Sequence, residues 1–83
     1  MYKISFKSSV RQDLNGIDKK QIKRILDKIE ADLSEKPDQY PELKGKFAGL
    51  RKFRVGDYRV IYSITTENAV LILRIRHRKE VYE

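Results

Sequence analysis

The sequence predicts an α+β domain in which two N-terminal helices pack on one face of a twisted, mainly antiparallel four-stranded sheet, in the order β-α-α-β-β-β. Three observations point there. "YKISF" alternates Tyr2, Ile4 and Phe6 with Lys3 and Ser5, the period-2 pattern of a half-buried strand. Ile22, Ile25, Leu26, Ile29 and Leu33 recur at helical spacing and form one apolar stripe. Three further strand-like runs, near 50–55, 58–64 and 70–76, are joined by connections too short for a parallel crossover, so they form an antiparallel meander. Residues 1–83 read as a single domain.

The elements follow in order. "SSVRQDLNG" suits a short helix, with Ser8 or Ser9 as N-cap and Gly16 near its end. Asp18 and Gln21 have capping-box spacing at the start of the second helix, and Ile17 and Ile22 are placed for a hydrophobic staple. Pro37 closes that helix, because the residue before a proline is pushed out of the α region. "KPDQYPELKGKFAG" is a loop of about a dozen residues, long enough to suggest function or mobility. Gly56-Asp57 forms a tight turn between the first two meander strands, and "TTEN" a looser one between the next two.

Composition narrows the function classes. The 83 residues are 40% hydrophobic, and a domain of this size buries only roughly 60–65% of its unfolded surface, so one core must suffice. With no cysteine, a disulfide framework and a thiolate metal site are both excluded. No apolar run approaches the roughly 18 residues that span a bilayer, and "MYKISFK" does not read as a signal peptide; a cytoplasmic protein with no membrane partner is expected. Net charge is +7 and unevenly spread. Residues 1–43 hold nine Lys/Arg against eight Asp/Glu, and residues 44–83 hold ten against four. A positive field of this kind favours polyanions.

Pleating predicts where those cations point. Alternation sets Phe53 and Val55 on the helix side with Arg51, and Leu50, Lys52 and Arg54 on the open side. In the next strand Tyr58, Val60, Tyr62 and Ile64 face the helices, opposite Arg59, Ile61 and Ser63. In the last, Leu71, Leu73 and Ile75 are expected against the helices, with Ile72, Arg74 and Arg76 opposite. Lys52, Arg54, Arg59, Arg74 and Arg76 would then form one basic patch. Like charges on one face repel, so an anionic partner is the natural reason to keep them.

Cleaving RNA through its own 2′-OH requires removal of that proton, stabilisation of charge on the phosphorane, and a proton for the departing 5′-oxygen. Arginine forks suit the second task, because they pair bidentately with phosphate and stay charged. Lys52 would serve as a base only with its pKa lowered by neighbouring cations. Tyr82 is placed to stack on a base or orient the phosphate. The single His77 falls on the apolar side by strict alternation, which suits a packed or surface residue better than a proton carrier. No acid pair, metal-ligand cluster, Ser/His/Asp set or phosphate-cradling glycine loop is present, and no cofactor is expected.

"LKGKFAGLRKFRVGDYRVIY", then "VLILRIRHRKEVYE", preceded by two helices in a chain this short, resembles the RelE/ParE superfamily of toxins, and "GDYRVIY" and "HRKEVY" resemble its RelE branch in particular. The resemblance implies a RelE-like microbial RNase fold, a ribosome-dependent endoribonuclease that cuts mRNA in the A site without a metal, and a cognate antitoxin that blocks it. By position it implies that Lys52 is a base or phosphate contact, that Arg59 contacts the scissile phosphate, that Arg76 works on the leaving-group side, and that Tyr82 stacks on a substrate base. Arg78 is an alternative to Arg76. Arg54, Arg74, Arg78 and the loop lysines Lys44 and Lys46 complete the expected RNA-binding set. Leu50 stands where some RelE toxins have a further lysine, which leaves proton abstraction to Lys52, the ribosome or the 2′-OH environment. The antitoxin is expected to be acidic, helical and RelB-like, since a positive field recruits such a partner quickly. Operator DNA would be reached only through it. Two other readings stay open: a ParE-type inhibitor of DNA gyrase, and an RNA-binding module without chemistry.

Overall fold

In a computed structural model, which describes residues 1–79, β1 (Lys3–Phe6) leads into α1 (Ser8–Asn15) and α2 (Lys19–Lys28), and the chain then builds β2 (Arg51–Val55), β3 (Tyr58–Thr66) and β4 (Ala69–His77). The sheet order is β1-β4-β3-β2. The meander pairs antiparallel, while β1 lies parallel to β4 with Lys3 opposite Ala69 and Phe6 opposite Ile72. The predicted order and layering are those observed, with one parallel pair at the β1 edge.

Both helices bury their apolar stripes against one face of the sheet. Val10, Ile25, Ile29 and Leu33 meet Phe53, Val55, Val60, Tyr62, Val70, Ile72 and Ile75 in one core. The stripe of α2 continues past Lys28 as a wider π-helical turn, Ile29–Leu33, which keeps Ile29 and Leu33 inside. Pro37 then opens a short 3₁₀ turn.

The cap readings need correction. Ser8 is the first helical residue of α1 and Lys7 is its N-cap. Ser9 points its hydroxyl at the sheet, donating to the Leu73 carbonyl at 2.8 Å. Asp18 is the N-cap of α2, as its spacing predicts, but its side chain makes no capping hydrogen bond.

A second correction concerns the facing of β4. Opposite β3, Arg74 pairs with Ile61 and Ile72 pairs with Tyr62, so Leu73 is an extra residue. Such a bulge shifts the phase of the alternation by one. Ile72 and Val70 therefore join Ile75 in the core, and Leu73 turns to the open face.

Tyr62 shows how tightly the core seals. It is 0% exposed, and its hydroxyl donates to the Pro37 carbonyl at 2.6 Å, tying the loop to the sheet. Burial pushes its phenol far above the ordinary value of 10.0, with a smaller opposing effect from Arg51. A raised folded-state pKa means that the contribution is complete below pH about 10 and is lost as the pH climbs beyond it, because only the unfolded chain releases the proton. Stability should fall above that pH in the parent more steeply than in Tyr62→Phe. The variant itself should lose about 1 kcal/mol near neutrality. Denaturant melts at rising pH test both, and equal slopes would refute the first.

Candidate anion-binding face

The face away from the helices is organised by cross-strand register. Arg54 lies opposite Arg59, and Arg59 opposite Arg76, so three arginines run in a row across β2, β3 and β4. Directly opposed residues have Cβ atoms about 4.5–5.5 Å apart, and like charges at that separation repel. A second row runs Lys52, Ile61, Arg74. The five cations expected on this face are therefore on it by backbone register.

Their side chains do different things. Lys52 and Arg59 line the same apolar cavity of about 320 Å³. Ile61 and Leu73 also line it from the sheet, and Leu43, Phe47 and Leu50 line it from the loop. Ile61 is only 4% exposed although it lies on the side opposite the helices and outside the main core. The loop is shaped by a 3₁₀ turn, Gly45–Phe47, which starts on Gly45 and is followed by Gly49, at φ 68° and 92°, left-handed values that suit glycine. Its two limbs are joined where the Leu43 N–H donates to the Leu50 carbonyl at 2.8 Å, and the Lys52 N–H donates to the Pro41 carbonyl at 3.2 Å. Arg51 anchors it further, donating to the carbonyls of Asp38 and Tyr40 at 3.1 and 2.6 Å.

Lys52 and Arg59 also line a second depression of about 320 Å³, shared with Tyr40, Pro41, Phe53 and Arg54. These two cations stand between two hollows. Arg54 additionally donates from Nε to the Gly56 carbonyl at 3.2 Å.

Arg74 and Arg76 border a different depression beside Asp13, Tyr58 and His77, although Arg74 reaches the apolar cavity too. Arg74 is held by α1: its Nε and Nη2 donate to Asp13 Oδ2 and Oδ1 at 3.0 and 2.8 Å, and the Ile75 N–H donates to Asp13 Oδ2 at 2.9 Å. Together with Ser9, one turn earlier on α1, Asp13 clasps the bulge of β4. Arg76 is thus beside Arg59 in register but does not line the cavity that Lys52 and Arg59 share.

Of the remaining predicted residues, Arg78 forms an ion pair with Asp57 at 3.6 Å and is turned to the β2–β3 connection. Lys44 and Lys46 are exposed on the loop, and Lys46 Nζ lies 5.5 Å from the centre of the Phe47 ring. His77 stacks edge-on against Tyr58, with ring centres 5.2 Å apart, the packed role that alternation predicts. Tyr82 lies outside the described residues. Asp13, Leu43, Phe47 and Leu73 are site-building residues that sequence reasoning missed. For the loop, the available signal was three large apolar residues, Leu43, Phe47 and Leu50, in a segment whose helix-facing core was already complete.

Among the described residues no group of three or more His, Cys, Asp or Glu could hold a metal ion, and no helix is long and apolar enough to cross a membrane.

This small basic sheet backed by two helices has counterparts among known proteins. The family described as "ParE toxin of type II toxin-antitoxin system, parDE" matches residues 4–82. Toxin RelG of Mycobacterium tuberculosis (strain ATCC 25618 / H37Rv) is 31% identical over 83 residues, covering 98% of this chain and 95% of its own. The toxin–antitoxin complex RelBE2 of the same species contains a chain that superimposes with a TM-score of 0.86 at 32% identity, over 93% of this chain and 98% of that one. A chain of the archaeal RelE–RelB complex from Pyrococcus horikoshii OT3 gives 0.67 at 27% identity, over 96% and 98%. The chain therefore belongs to the RelE/ParE superfamily of type II toxin–antitoxin toxins.

Proposed function

We propose that this toxin is an endoribonuclease that cleaves mRNA in the ribosomal A site and is silenced by an acidic, helical RelB-type antitoxin. The observation that carries the reading is the placement of Lys52 and Arg59 between two hollows on one face. A phosphodiester seated on that pair would have room for a nucleoside on either side. The 2′-oxygen attacks the adjacent phosphorus, a P–O bond forms, and the bond to the 5′-oxygen breaks. The 2′ proton passes to Lys52, to a basic group of the ribosome or to water, and the departing 5′-oxygen takes a proton from water on the Arg76 side. Arg59 supplies a fixed fork for the charge that grows on the phosphorane oxygens, where preorganised donors are worth most. Lys52 holds the phosphate from the neighbouring strand. Arg76, next to Arg59, is assigned to the leaving-group side, and Tyr82 to stacking on a substrate base. Arg54, Arg74, Arg78, Lys44 and Lys46 contribute the surrounding field that draws the RNA in.

The matched family carries the ParE description, so gyrase inhibition is the reading to separate. Expressing the chain alone and mapping mRNA 5′ ends does so. Cuts within codons of translated messages, absent from the Lys52→Ala/Arg59→Ala double variant, are the expected result. Growth arrest with intact mRNA and broken DNA would reject the nuclease and favour the gyrase reading.

A further inference from the structure

The apolar cavity is larger and greasier than phosphate recognition alone requires. Lys52 and Arg59 stand at the rim it shares with the neighbouring hollow and Arg74, held by Asp13, also lines it, while Ile61, Leu73 and the loop residues Leu43, Phe47 and Leu50 make the rest. About 320 Å³ lies in the range of pockets that hold small ligands. The hollow on the other side of the same two cations is lined differently, with Arg54 beside Tyr40 and Pro41. One anion position thus has an apolar slot on one side and a more polar hollow on the other.

We infer that the slot lined by Leu43, Phe47, Leu50, Ile61 and Leu73 is a nucleobase pocket, taking the base of the nucleotide whose phosphate sits on Lys52 and Arg59. The inference rests on the nuclease reading and adds to it a specificity-determining subsite. Charge complementarity selects the occupant. A base is flat and apolar on its faces and is tethered to a phosphate, which is the arrangement of slot and rim. An acidic protein partner would satisfy the same cations but does not by itself require a flat slot beside them, and the test below separates it from a base. Phe47 is the aromatic that a base can stack on, and stacking tolerates any base because every base has a π face. The loop side chains Leu43, Phe47 and Leu50 carry no hydrogen-bonding group, so what they contribute to selection is stacking and apolar area, which is greatest for purines.

The test uses the full chain and a 2′-O-methyl dinucleotide, which cannot be cleaved, carrying 2-aminopurine on either its 5′ or its 3′ side, with matched abasic versions. Fluorescence titration should show strong quenching at one position only. Removing that base should weaken binding about tenfold. Phe47→Leu, which keeps the loop apolar and folded, should weaken binding of the base-bearing probe about five- to tenfold and leave the abasic one unchanged. Lys52→Ala should weaken both equally. Unaltered quenching in Phe47→Leu, or equal loss for both probes, would overturn the inference. So would a Phe47→Leu variant that loses affinity for co-expressed antitoxin while binding the dinucleotide normally, since the slot would then belong to a protein partner. Failure of the nuclease reading looks different: base-dependent binding would persist and retain the pocket, with mRNA on ribosomes left uncut.

Discussion

Replacing Arg59 with alanine is expected to lower the single-turnover rate of mRNA cleavage on the ribosome by about two to three orders of magnitude, with little change in melting temperature. Arg59 is the middle residue of the arginine row and borders both hollows, so on the proposed reading no other guanidinium of the row is so centrally placed for the scissile phosphate. Stability should hold or rise slightly, because removing the middle charge relieves its repulsion with Arg54 and Arg76, an effect of about 0.2–1 kcal/mol for opposed like charges. Arg59→Lys should fall between parent and alanine variant: the charge remains but the planar fork does not. Pre-steady-state cleavage kinetics beside denaturant melts separate chemistry from folding. A rate loss below tenfold, or one that tracks unfolding, would remove Arg59 from the chemistry.

Asp13→Ala should be the most destabilising single change among the charged residues described. Its side chain is only 8% exposed and accepts three hydrogen bonds, two from Arg74 and one from the Ile75 N–H. Truncation strands that N–H under α1 and leaves Arg74 without the carboxylate. Arg74 is 41% exposed and water recovers part of the loss, so we expect about 2–3 kcal/mol, or on the order of 10–20 °C in melting temperature for a domain of this size. The bulge should loosen with it, which makes cleavage fall more than the unfolded fraction explains. Asp13→Asn should lose less, since an amide oxygen still accepts one bond. Calorimetric melts and cleavage rates on the same samples decide it. A shift under about 3 °C would show that the clasp is dispensable.

Much of this molecule is legible from local pattern. The stripe of α2 and the alternation of β2 and β3 are short-range signals, and they place Lys52, Arg54 and Arg59 correctly. Alternation fails in β4 because one extra residue, Leu73, inverts the phase, and nothing within "VLILRIR" marks where the inversion falls. The marker lies elsewhere in the chain, in Ser9 and Asp13, which look like ordinary polar residues of a short helix until the fold sets them against the bulge. The loop cavity was hidden for a related reason. Leu43, Phe47 and Leu50 have no periodicity, and their burial depends on two left-handed glycines folding them over Ile61. Register between distant strands is also unreadable locally, so the parallel seating of β1 beside β4 came only from the structure.

That seating has a kinetic consequence. Among the described strands β1 comes first, yet it pairs only with β4, the last of them, and the pairing joins Lys3–Phe6 to Ala69–Ile72. Until residues 69–72 emerge from the ribosome the first strand has nothing to add to, and the core residues Val70, Ile72 and Ile75 are missing. A nascent chain therefore carries the arginines of β2 and β3 on an incomplete scaffold. Closing so long a loop costs entropy that local contacts cannot offset in advance, so the pairing of β1 with β4 is expected among the last contacts of the sheet to form.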